Sequence, residues 1–176
     1  MGEKFDSSAG KPYNPAMSDK TSVLIAEDNP AIVDSLKYWF SKDYTLVFVN
    51  NINGAIEIVK NGFVPEVALV DWHLKSDPSS DEIERLRLNN NESFGLIKYL
   101  QEDTDGRCRT LLISNLEYTS AKWFIREAKA WGYFSKTSSL RSLKEVFDMG
   151  FLKDDEIGKP MIFLPYVEHS IHRERE

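Results

Sequence analysis

A chain of 176 residues, 41% hydrophobic and 12% aromatic, has the material for one packed core of ordinary size with extensions. Its 28 acidic and 22 basic residues leave a formal net charge of -6, which argues against broad electrostatic binding to a nucleic-acid backbone or an anionic membrane. Cys108 is the one cysteine and cannot close an intramolecular disulfide; no apolar run approaches the roughly 20 residues that span a bilayer, and the N-terminus lacks the apolar stretch of a secretory signal, so cytoplasmic residence is expected.

Residues 1–20 are polar, rich in Ser, Gly and Pro, and without usable periodicity, and they read as a flexible arm. From residue 21 the pattern becomes regular. SVLIAED is a short apolar strand running into an acidic pair. Asn29-Pro30 punctuates it, and AIVDSLKYWFSK then places Ile32, Leu36, Trp39 and Phe40 on one helical face. YTLVFVN and INGAIEIVKNG repeat the strand and helix. EVALVDWHL is a third strand that ends on Asp71.

Between that strand and its helix, FGLIKYLQED, lies KSDPSSDEIERLRLNNNES (75–93), where a loop of about 2 to 6 residues is ordinary. Within this insertion Ser79 and Glu82 have capping-box spacing, and Ile83, Leu86 and Leu88 form a partly apolar side, which predicts one or two helical turns. RTLLISN is the fourth strand, with Cys108 before it as a small buried filler. The fourth helix, YTSAKWFIREAKAWG, carries Trp123 and Trp131; YFSKT and LRSLKEVFDMGFL complete the fifth unit. Residues 151–176 read as a C-terminal extension with an apolar centre and a charged end, too short for an independent effector domain. The domain itself is expected over 21–150.

Strict alternation of short apolar strands with helices predicts an α/β fold: a doubly wound, five-stranded parallel sheet with helices on both faces and right-handed crossovers. Five such units take the flavodoxin-like order 2-1-3-4-5, with ligands beyond the carboxyl ends of the strands at the switch point between strands 1 and 3. That point collects Glu27 and Asp28 from strand 1 and Asp71 from strand 3. Two carboxylates about 4 Å apart repel by about 4 kcal/mol at an effective dielectric near 20, so the cluster calls for protons or a cation. A hard, oxygen-seeking ion such as Mg2+, keeping some of its waters, suits it. Ser114 and Lys136, at the ends of strands 4 and 5, bring a hydroxyl and an ammonium to the same rim, and both bind phosphate. A carboxylate nucleophile, a divalent ion, a hydroxyl and an ammonium are the parts for phosphoryl transfer to an aspartate.

From SVLIAEDNP to LKEVF the chain resembles the receiver domains of two-component response regulators. The resemblance rests on the acidic pair Glu27 and Asp28, on Asp71 in LVDWHL, Gly95 in FGLIKYL, Ser114 in LLISN and Lys136 in GYFSKT, and it spans about three quarters of the sequence. It implies that Asp71 is the phosphoacceptor, assisted by Lys136 and Ser114. It further implies Mg2+ held by Asp28, Asp71 and the backbone carbonyl of His73, with Glu27 acting through water, and a switch in which Ser114 and Tyr133 change position. The implied partners are a histidine kinase or phosphotransfer protein, an output protein, and a second copy docked through helix 4, strand 5 and helix 5; the chain would be no enzyme beyond its own phosphorylation and dephosphorylation.

Two departures bear on the switch. Thr137 stands where the family usually has a proline in a cis bond, which leaves the Lys136–Thr137 bond and the aim of Lys136 open. Asn115 replaces a small alanine and threatens the inward movement of Tyr133. Exposure of Trp123 or Trp131 would mark a partner face. An alternative is a receiver-like protein-binding scaffold in which phosphorylation is uncoupled from output. Phosphatases of the haloacid-dehalogenase kind also use an aspartate at a parallel strand end, but they look like D-x-D at the nucleophile, and His73 holds the second position here.

Overall fold

The structure, a computed structural model, describes residues 20–75, 92–116, 118–148 and 161–163. Residues 1–19 of the arm, residues 76–91 of the 75–93 insertion with its capping box, and most of the C-terminal extension lie outside the described residues.

The chain alternates as its apolar pattern predicts. β1 (Ser22–Ala26) leads to α1 (Pro30–Phe40), whose first turn is set by the Asn29 side chain accepting from the Ala31 amide at 3.0 Å and by Pro30 in the first turn, where its missing N–H costs nothing. β2 (Thr45–Val49) and α2 (Ile52–Lys60) follow, with Asn51 capping α2 through the Gly54 amide at 2.8 Å. β3 (Val67–Asp71), α3 (Glu92–Asp103), β4 (Arg109–Ser114), α4 (Tyr118–Glu127), β5 (Gly132–Ser135) and α5 (Leu140–Asp148) complete the five units.

The five strands run parallel in the order 2-1-3-4-5. A sixth, β6 (Met161–Phe163), arises from the segment read as an extension and pairs in parallel with β5, so the full order is 2-1-3-4-5-6. Residues of β1, β3 and β4 alternate between two cores. Val23, Ile25, Leu69, Ile113 and Phe134 pack under α1 and α5 with Leu36, Phe40, Leu143 and Phe147. Leu24, Ala68, Val70, Leu112 and Tyr133 pack under α2, α3 and α4 with Ile56, Leu96, Leu100 and Ile125. Because both faces are covered, β1 and β3 are buried throughout, and their polar ends reach the rim of the sheet.

One boundary differs from the sequence pattern. α4 ends at Glu127, and Lys129 turns the chain with φ +53°, so Trp131 lies in the connector to β5 instead of on the fourth helix. There it is partly buried, with the Arg109 guanidinium 5.7 Å from its ring centre. Cys108 is fully buried, and burial pushes its thiol up to about 12, in keeping with a filler.

Candidate functional site

Parallel pairing of β1 with β3 sets Ala26 beside Val70, so the next residues of each strand, Glu27 and Asp71, emerge together at the carboxyl end of the sheet. Glu27, Asp28 and Asp71 each offer a carboxylate oxygen, and these lie within 4.8 Å of one another. Asp28 is exposed; Glu27 and Asp71 are 1% and 3% exposed. Two nearly dry carboxylates side by side need a counter-charge, and Lys136 supplies it from the end of β5. Its Nζ lies 2.8 Å from Asp71 Oδ1 and 2.9 Å from Glu27 Oε2. Among the described residues no peptide bond is cis, so Lys136–Thr137 is trans, and the ammonium is nonetheless aimed at the aspartate. The Lys136 amide donates to the Ser114 carbonyl at 2.8 Å, which fixes the start of this loop without a proline.

Burial raises the Glu27 pKa above the usual carboxylate range, opposed by hydrogen bonds from Lys136 and from the Asn29 amide. For Lys136, burial works to lower the pKa, but hydrogen bonds to Asp71 and Glu27 and their charges outweigh it and leave it raised. Glu27 Oε2 contacts the ammonium only as an ion pair, without hydrogen-bond geometry. The donor set fits a hard divalent cation: oxygen ligands, a negative excess, and one exposed carboxylate through which hydrated metal can enter. Glu27, Asp28 and Asp71 are the side chains that would hold it. His73 is exposed in the turn after β3 and its imidazole does not join that group, which leaves only its backbone carbonyl as a donor there.

Ser114 is fully buried at the end of β4, the strand next to β3, and its hydroxyl accepts from the Leu116 amide at 3.0 Å, a turn that ties down the loop after the strand. Tyr133 is fully buried, and its hydroxyl donates to the Leu116 carbonyl; burial raises its phenol pKa. Asn115 is exposed. Leu116 is partly buried against the core that α2, α3 and α4 cover.

Sequence reasoning missed the aromatic chain that backs the site. Trp72, next to Asp71 and 8% exposed, packs on Phe124 with ring centres 4.3 Å apart, and Phe124 meets Trp123 edge-on at 5.0 Å. Trp123 is 48% exposed and stacks on Phe94 at 6.3 Å.

No family model matches the sequence, and no curated protein matches it. Solved structures do match. A CheY-like response regulator receiver domain protein from Methanospirillum hungatei JF-1 is similar with a TM-score of 0.58 and 21% identity, over 74% of this chain and 92% of that one. A two-component response regulator from Clostridium difficile has a TM-score of 0.61 and 13% identity, over 78% and 100%. The receiver domain of Francisella response regulator 1452 has a TM-score of 0.57 and 19% identity, over 74% and 95%. The chain therefore has the receiver-domain fold of response regulators. No helix among the described residues is long and apolar enough to cross a membrane.

Proposed function

We propose that the chain is a phosphorylatable receiver that accepts a phosphoryl group on Asp71 from a histidine kinase or phosphotransfer protein and signals through an altered surface. The observation that carries this reading is the Lys136 ammonium, 2.8 Å from Asp71 and 2.9 Å from Glu27, beside three convergent carboxylates.

An Asp71 carboxylate oxygen attacks phosphorus; the O–P bond forms as the P–N bond to the donor histidine breaks, and the departing imidazole nitrogen regains a proton. Asp71 is presented by the rigid end of β3 and needs no rearrangement to reach the rim. Lys136 is positioned to exchange part of its pairing with Asp71 for the phosphoryl oxygens, and the Ser114 hydroxyl hydrogen, unused in the turn to Leu116, is available to one of them. Mg2+ held by Glu27, Asp28 and Asp71 with the His73 carbonyl would neutralise charge building on the equatorial oxygens.

The test is incubation with acetyl phosphate and Mg2+ followed by mass measurement. Wild type should gain one phosphoryl group, and Asp71→Ala none. Labelling that persists in Asp71→Ala, or no labelling of wild type, would refute the assignment.

The second reading, a scaffold with phosphorylation uncoupled from output, is favoured by one observation. Tyr133 is already buried with its hydroxyl bonded to Leu116, so the residue expected to move inward has no further to go.

A further inference from the structure

In a five-stranded sheet β5 would be an edge, and β6 removes that edge. Gly132, Tyr133 and Phe134 are registered with Met161, Ile162 and Phe163, while Leu111, Leu112 and Ile113 hold the same three residues from the β4 side. Tyr133 thus sits on an interior strand. The backbone of an edge strand exchanges bonds with water when it shifts, whereas a strand laddered on both sides must break bonds with a neighbour or carry it along. For the Tyr133 ring to swing out, its hydroxyl has to leave the Leu116 carbonyl, and any shift of the β5 backbone that accompanies the ring is opposed by a strand on each side.

We propose that β6 is an intramolecular clamp on Tyr133: while the C-terminal strand is docked, the β4–α4–β5 face is held in one state, and release of β6 is what frees it. This rests on the receiver reading given under Proposed function, takes up the Tyr133 switch that the resemblance implies, and adds the element that controls it. Three residues can order and release on their own, because a strand this short gains few backbone bonds against the entropy of fixing them. The docked strand also covers the β5 edge that a homodimer through α4, β5 and α5 would need.

The test uses the full chain and nitration by tetranitromethane, resolved by residue. Tyr38, 80% exposed, is the reactive reference, and Tyr44, 8% exposed between Phe40 and Phe147, reports the intact core. Alternate amides of a strand face each neighbour, so Ile162→Pro and the double variant Met161→Pro with Phe163→Pro together remove every β6 donor that faces β5. In wild type Tyr133 should stay protected before and after Asp71 is labelled by acetyl phosphate. In at least one β6 variant its nitration should rise about tenfold or more while Tyr44 stays protected, as expected for a local opening.

Equal protection of Tyr133 in both variants, or reaction of Tyr133 in labelled wild type, would overturn the clamp. If both variants also lose Tyr44 protection, amide exchange in wild type decides. Gly132 to Phe134 amides as slow as those of β4 support the clamp; exchange as fast as the turn at Gly106 refutes it. Failure of the phosphoryl reading shows separately, as absence of added mass on Asp71 in every protein.

Discussion

With its ammonium shared between Asp71 and Glu27, Lys136 is the residue on which the charge balance of the rim depends. Lys136→Ala leaves two buried carboxylates without a cation, and breaking a buried pair from one side costs about 3–5 kcal/mol, measurable by urea denaturation at pH 8. Glu27 already has a raised pKa from burial, and loss of the ammonium raises it further. A carboxyl whose folded pKa lies above its unfolded value contributes stability that is present below the unfolded value and lost as pH rises through the folded one. The deficit of Lys136→Ala should therefore shrink as pH falls from 8 to 5, and added Mg2+ should shrink it at pH 8. A deficit independent of both would show that Lys136 acts through packing of its stem. For wild type the same logic applies to the raised Lys136: its contribution holds below its unfolded pKa and disappears as alkaline pH passes the folded one. Cys108, fully buried with its thiol pushed up to about 12, should react with a thiol reagent only when the chain unfolds.

The elements that carry the site were legible because their signals are long or chemically loud. β1 and β3 each show an apolar run closed by an acid, and Asn29-Pro30 marks the start of α1 in both sequence and structure. The end of α4 was not legible. Its stop is a lysine at φ +53°, a conformation that glycine or asparagine would have announced, and Trp131 was placed on the helix for want of that sign. β6 was missed for a different reason: three residues are too few to display a period. The end of α2 shows the readable case. Gly62, at φ +92°, donates to the Val59 carbonyl, and Phe63 donates to Ile58 at 3.2 Å, a Schellman closure. Nothing lies within 4 Å of a Cβ built on Gly62, so Gly62→Ala should cost only the left-handed backbone, about 1–2 kcal/mol. Denaturation should show a lower midpoint with an unchanged slope.

For the molecule as a whole, the strand order places β1 and β3 side by side in the interior of the sheet and so gathers groups from residues 27, 28, 71 and 136 at one rim, which no local sequence window could do. On the proposed reading, that convergence should make stability depend on cation concentration. A ligand bound only by the native state adds RT ln(1 + [L]/Kd), about 2.7 kcal/mol at a hundredfold excess over Kd, so Mg2+ should raise the melting temperature and a chelator should reverse it. Asp28→Asn should remove most of the rise, since Asp28 is the exposed member of the group. An unchanged wild-type melting temperature at millimolar Mg2+ would count against an assembled metal site. The global pattern was readable from strand and helix alternation alone, whereas the counter-charging geometry at Lys136 required the folded chain, because the loop after β5 lacks the proline that would have announced it.

The indole of Trp72 gives the molecule an optical property of its own. It lies one peptide bond from Asp71, packed on Phe124 and shielded from water, while Trp123 at the other end of the same ring chain is half exposed. An indole in an apolar cavity emits to the blue of one in water, so the two contribute to different parts of the emission band. If the proposed cation binding or phosphoryl transfer takes place at the rim, the blue part of the emission is expected to change with it, which would let the site be followed in real time without an attached dye.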